Sequence, residues 1–73
     1  MNTSLLSVRL NSIVTIHDQL QQRSRYYNPF ALAIYLERVD RVVAMVEDGA
    51  SLADAINANF SDRLAAKLLK VKI

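Results

Sequence analysis

Residues 28–49 read NPFALAIYLERVDRVVAMVEDG, and this stretch decides the fold. Asn28 is a good N-cap, and Pro29 suits a first helical position, where its missing N–H leaves nothing unsatisfied. Gly49 suits the left-handed residue that closes a helix. Between these marks Leu32, Tyr35, Leu36, Val39, Val42, Val43 and Val46 recur at three- and four-residue spacing. That places them on one stripe of a helix over 29–48 and makes them the leading core candidates. Tyr27, just before the cap, is placed to pack on Leu32 as a hydrophobic staple. A smaller apolar group, Phe30, Ile34 and Met45, falls on a second face among Arg38 and Arg41. A helix with two apolar faces has two things to pack against.

Upstream, residues 4–22 repeat the helical period. Leu5, Leu6, Leu10, Ile13, Val14, Ile16 and Leu20 cover one broad face, with Asn11, Thr15, Asp18 and Gln22 opposite. Arg9 and His17 project from within the apolar face. The simplest reading has the Arg9 stem lying on the core and His17 as a hydrogen-bonded core residue. Downstream, Ser51 with Asp54 marks a new helix start. Leu52, Ile56, Phe60, Leu64 and Leu68 recur every four residues, so on one straight helix their stripe drifts by about 40° at each step. A break near Asn57 to Ser61 removes the drift, with Asn59 in the left-handed region and Ser61 capping a further helix. No stretch alternates with period two over five residues. The expectation is one all-α domain over residues 1–73, a compact bundle of three to four helices at about 4–22, 29–48, 51–58 and 61–70.

Composition narrows the function. In 73 residues, 52% are hydrophobic and 22% charged, with one His and no Cys. The chain is too apolar for disorder and too short for a second domain. Without Cys there is no disulfide framework and no thiolate nucleophile or metal site. General acid–base catalysis needs several polar groups converging in a pocket, and no such set is legible. We therefore expect no enzyme, no cofactor, no metal and no small-molecule substrate. The N-terminal stretch lacks the basic region of a signal peptide, and the longest apolar run, Phe30 to Leu36, ends at Glu37. A cytoplasmic location without membrane insertion is expected.

Charge is divided along the chain. Residues 1–27 carry three Arg and one acid, 28–50 two Arg and four acids, and 51–73 four bases and two acids. The net +2 is thus an acidic middle between two basic ends.

Two segments point to partners. The run Arg23-Ser-Arg-Tyr-Tyr-Asn-Pro-Phe30 holds three of the five aromatics and two Arg. Tyr and Arg combine large contact area with a polar handle, as interface centres require; they also stack on unpaired bases. The plain structural reading has Tyr26 cap the core. With helix 2's second face, this run gives a candidate protein-binding surface of Arg25, Tyr26, Phe30, Ile34, Arg38, Arg41 and Met45. A core in so short a chain rarely supplies more than roughly 3–5 kcal/mol, so association, as a homodimer or a heteromeric complex, is expected.

The other segment, SLADAINANFSDRLAAKLLK over 51–70, is similar to the helix-turn-helix pattern of DNA-binding repressors. Ala55 stands at its small position, Asn59 at its turn, and Phe60, Ala65 and Leu68 at packed positions. Asp54 departs from the pattern, which has an apolar residue there, and Asn59 replaces the usual Gly. Asp62 falls where it repels phosphate. The resemblance implies a reading helix carrying Ser61, Asp62, Arg63 and Lys67, with Lys70 and Lys72 on phosphates. The leading expectation is a small adaptor, inhibitor or regulator that binds protein, similar in size to phage and plasmid accessory proteins. The alternative is a DNA-binding regulator using residues 51–70.

Overall fold

The Asn28–Gly49 stretch forms its helix with the expected stripe inward. In a computed structural model, which describes residues 3–71, α2 spans Ala31–Glu47 and buries Val39 and Val42 completely. Leu32, Tyr35, Leu36, Val43 and Val46 are half-buried around them. The cap residue is Phe30, without a side-chain cap bond, so Asn28 and Pro29 lie upstream of the helix and not at its N-cap and first position as expected. The Asn28 side-chain Oδ1 accepts from the Phe30 N–H at 2.9 Å, and its carbonyl accepts from Ala31 N–H at 3.1 Å. Asn28 and Pro29 thus form a hydrogen-bonded turn that feeds the helix.

The other end closes as Gly49 requires. Gly49 has φ +105°, its N–H donates to the Val46 carbonyl at 3.1 Å, and Ala50 N–H reaches Met45 at 2.9 Å. This paired arrangement satisfies two carbonyls of the last turn and reverses the chain.

α1 spans Thr3–Gln21, α3 Leu52–Asn59 and α4 Asp62–Leu68, and no strand occurs among the described residues. α2 packs along α1, α3 folds back on α2, and α4 closes the bundle against α1 and α3. Leu6, Leu10 and Val14 of α1 meet Val39 and Val42, Ala55 and Ile56, and then Phe60, Leu64, Ala65 and Leu68 in one core. Each large side chain buried there contributes about 1.5–3 kcal/mol of transfer free energy.

The break after α3 is present, but its geometry differs from the expectation. Asn59 stays helical, and no residue other than Gly49 has positive φ among those described. Phe60 (φ −129°, ψ 152°) and Ser61 (φ −69°, ψ 158°) are extended instead. Two extended residues redirect the chain without the steric penalty of a left-handed Asn, and they deliver Phe60 into the core. Ser51 caps α3 by accepting from Asp54 N–H at 3.1 Å. Ser61 occupies the corresponding place before α4, but its hydroxyl makes no cap bond.

The larger correction concerns α1. Its seven apolar residues do not share one buried face. Leu6, Leu10 and Val14 are fully buried, whereas Ile16 is 58% and Leu20 51% exposed, and Leu5 also lies open. The apolar arc is wider than α2 and α4 together cover, so its far edge faces out. Asp18, assigned by period to the solvent side, is only 1% exposed. The loop that follows α1 folds back over it.

Candidate functional site

That loop builds a polar cluster around Asp18. Tyr27, nine residues beyond Asp18, donates its hydroxyl to both carboxylate oxygens at 3.0 and 2.9 Å. Gln22, one helical turn on, donates its amide at 3.2 Å. Beyond the apolar packing expected of Tyr27, its polar tip is thus engaged by the carboxylate. Burial, the hydrogen bond to Asp18 and the charge of that carboxylate together push the Tyr27 phenol above its ordinary value of 10, slightly opposed by a bond from Gln22.

His17 lies beside this cluster, 7% exposed. Lys67 Nζ of α4 sits 3.1 Å from its Nδ1. An ammonium only donates, so this contact makes Nδ1 the acceptor and leaves the ring proton of neutral His17 on Nε2. Burial first, then the Lys67 and Arg63 charges, hold the imidazole below its usual 6.5, with Asp18 pulling the other way. The ring meets Tyr35 edge-on, centroids 5.8 Å apart, and Tyr35 in turn lies 6.4 Å from Phe60. His17 is thus the hydrogen-bonded core residue that its position in the sequence implies.

A cleft of about 250 Å³ opens next to Asp18, between the end of α1, the loop and the start of α2. Asp18, Ser24, Tyr26, Tyr27, Asn28 and Tyr35 are among the residues lining it. Sequence reasoning missed this cleft because it placed Asp18 outward. The missed signal is a triplet of tyrosines at 26, 27 and 35 with one carboxylate a few turns away.

The proposed protein-binding residues are only partly brought together. Tyr26 is 86%, Phe30 73% and Ile34 41% exposed, with Arg25 exposed beside them and Arg38 half-buried one turn beyond Ile34. Tyr26 therefore does not cap the core. Arg41 is exposed and engaged with Glu37 at 2.9 Å. Met45 is half-buried against the core, where its sulfur lies 3.2 Å from the Asn59 amide nitrogen. It packs the α2–α3 contact and is not part of the open patch.

A second open apolar strip, not assigned from the sequence, runs along α1 through Leu5, Val8, Ile16 and Leu20, with exposed Arg9 within it. Arg9 was its signal. A charge in the middle of an apolar arc marks where that arc leaves the core.

The described basic residues of the DNA-binding alternative lie on one short helix and the turn that follows it. Arg63, Lys67 and Lys70 are exposed on α4 and the turn after it, while Lys67 leans back on His17. Lys72 lies outside the described residues. Ala55, Phe60, Ala65 and Leu68 are buried, as the resemblance implies.

Among the described residues, no three His, Asp or Glu side chains are grouped to hold a metal ion, and no helix is long and apolar enough to cross a membrane. No protein-family profile, curated protein or solved structure matches the chain.

Proposed function

We propose that the protein is a small non-enzymatic binding module of the cytoplasm, an adaptor, inhibitor or regulator of the phage or plasmid accessory type. It docks on another protein through the loop after α1 and the start of α2. The observation that carries this reading is the exposure of two aromatic side chains, Tyr26 and Phe30, beside half-covered Ile34. Large apolar groups left open next to arginines have the composition of an interface centre. Arg25 and Arg38 supply the polar rim.

The test is affinity capture from the source organism, read by mass spectrometry, with wild type and an Ile34→Glu, Arg38→Glu double variant. Wild type is expected to retain a specific protein, or a second copy of itself, that the variant loses. A folded double variant that keeps the partner sinks the assigned surface.

One observation favours a second reading. The extended break between α3 and α4, with Ala55, Phe60, Ala65 and Leu68 buried, suits a helix-turn-helix unit presenting Arg63, Lys67 and Lys70. In that case Arg63→Ala and Lys67→Ala weaken duplex binding and reduce its salt dependence, while the α2 changes do not. Absence of any duplex shift at low salt ends this reading.

A further inference from the structure

We propose that the cleft beside Asp18 receives an ammonium head, the side chain of a lysine presented by the partner protein. This rests on the protein-binding reading above and specifies the partner's chemistry.

Asp18 lines the cleft. Asp18 is buried, and among the described residues no Lys or Arg nitrogen forms an ion pair with it. Buried charges are normally paired. Its two side-chain donors, Tyr27 and Gln22, leave part of its capacity of about four lone-pair sites unused. Tyr35, whose ring meets His17 edge-on, also lines the cleft.

Three tyrosines, Tyr26, Tyr27 and Tyr35, line the same space. Aromatic rings attract cations through their quadrupole, and several rings with one carboxylate make a receptor for ammonium groups. Size agrees: about 250 Å³ falls below the roughly 300–1,000 Å³ of sites for larger ligands, but a single side chain fits.

Other ligand classes fit less well. The carboxylate repels phosphates and carboxylates. A hard metal ion needs six or more oxygen ligands, and among the described residues Asp18 is the one carboxylate that lines the cleft. A guanidinium binds best along a free carboxylate edge, and the Tyr27 hydroxyl already bridges both Asp18 oxygens. An ammonium, a compact charge with three rotatable donors, needs no such edge. Arg23 and Arg25 on the same loop oppose a cation. They are exposed, so solvent and salt weaken their effect beyond a Debye length of about 8–10 Å, whereas Asp18 is buried and lines the cleft itself. Tyr26 also adjoins the open Phe30 patch, so one partner reaches both.

The test is a titration of the full chain followed by 15N–1H NMR. The probes are N-acetyl-lysine methylamide, its ε-trimethylated form, and N-acetyl-norleucine methylamide as the uncharged control. Wild type is expected to bind at least one ammonium probe in the millimolar range, with shifts confined to residues 17–35, and not to respond to norleucine. Tyr26→Ala, which removes an exposed ring, is expected to weaken binding about threefold, and Asp18→Asn about tenfold or more. Preference for the trimethylated probe identifies a methylated lysine as the partner group. No shift with either ammonium probe, an equal response to norleucine, or unchanged affinity in folded Tyr26→Ala overturns the proposal. The capture experiment with the Ile34→Glu, Arg38→Glu variant leaves the cleft residues intact. Retained probe binding with a lost partner, or the reverse, therefore separates failure of the cleft from failure of the docking surface.

Discussion

Tyr27 reaches back nine residues to donate one hydroxyl to both oxygens of Asp18, at 3.0 and 2.9 Å. The bond fixes the loop after α1 on the helix that it has just left. It also requires the phenol to stay protonated, and its titration is pushed above 10. A group whose folded value is raised stabilises below its unfolded value and loses that contribution as pH rises through the folded one. Absorbance titration is expected to show a late-ionising phenol that disappears in Tyr27→Phe and moves back toward 10 in Asp18→Asn. Melting temperature should fall as pH rises above about 10 more in wild type than in Tyr27→Phe.

His17 titrates in the opposite sense. Its folded value is depressed below 6.5, so the unfolded chain takes up the proton first. Stability is expected to be full above about pH 6.5 and to decline as pH falls through that value. Urea unfolding at pH 8, 7, 6 and 5 measures the decline, and His17→Gln should flatten it above pH 5. Lys67→Ala removes a neighbouring positive charge and should raise the midpoint of the single imidazole resonance.

Leu10 and Leu20 lie on the same helix with opposite environments. Leu10 is fully buried, and Leu20 is open. Leu10→Ala is expected to cost about 2–5 kcal/mol, comparable with the whole stability of a chain this size. Leu20→Ala should cost less than about 1 kcal/mol. Equal losses in chemical denaturation would show that the outer arc of α1 is covered.

The two serine caps provide another contrast. Ser51 accepts from Asp54 N–H, whereas the Ser61 hydroxyl makes no cap bond. Ser51→Ala is expected to lower stability by about 1 kcal/mol and Ser61→Ala by less than about 0.5 kcal/mol, read from denaturation midpoints.

The helices and the core of α2 were legible because the period and the C-terminal turn agree there: the stripe ending at Val46 and the turn at Gly49 specify one arrangement. α1 was less legible. Its apolar arc is about half a turn wide, and period alone does not say which part of an arc its neighbours cover. Asp18 was misplaced for a related reason. Its burial depends on Tyr27 folding back, a contact between a loop and a helix that no local periodicity encodes. The exposed aromatics of the loop could be singled out by composition, but the cleft they share with Asp18 required the three-dimensional path of residues 22–30.

The Lys67–His17 contact joins residues fifty positions apart, whereas α1–α2 and α2–α3 pack as neighbours in the chain. Loop-closure entropy therefore favours those pairs first and this contact last. The seven residues of α4 are too few to hold a helix alone. α4 is therefore expected to dock last, and its amide hydrogens should exchange soonest among the four helices.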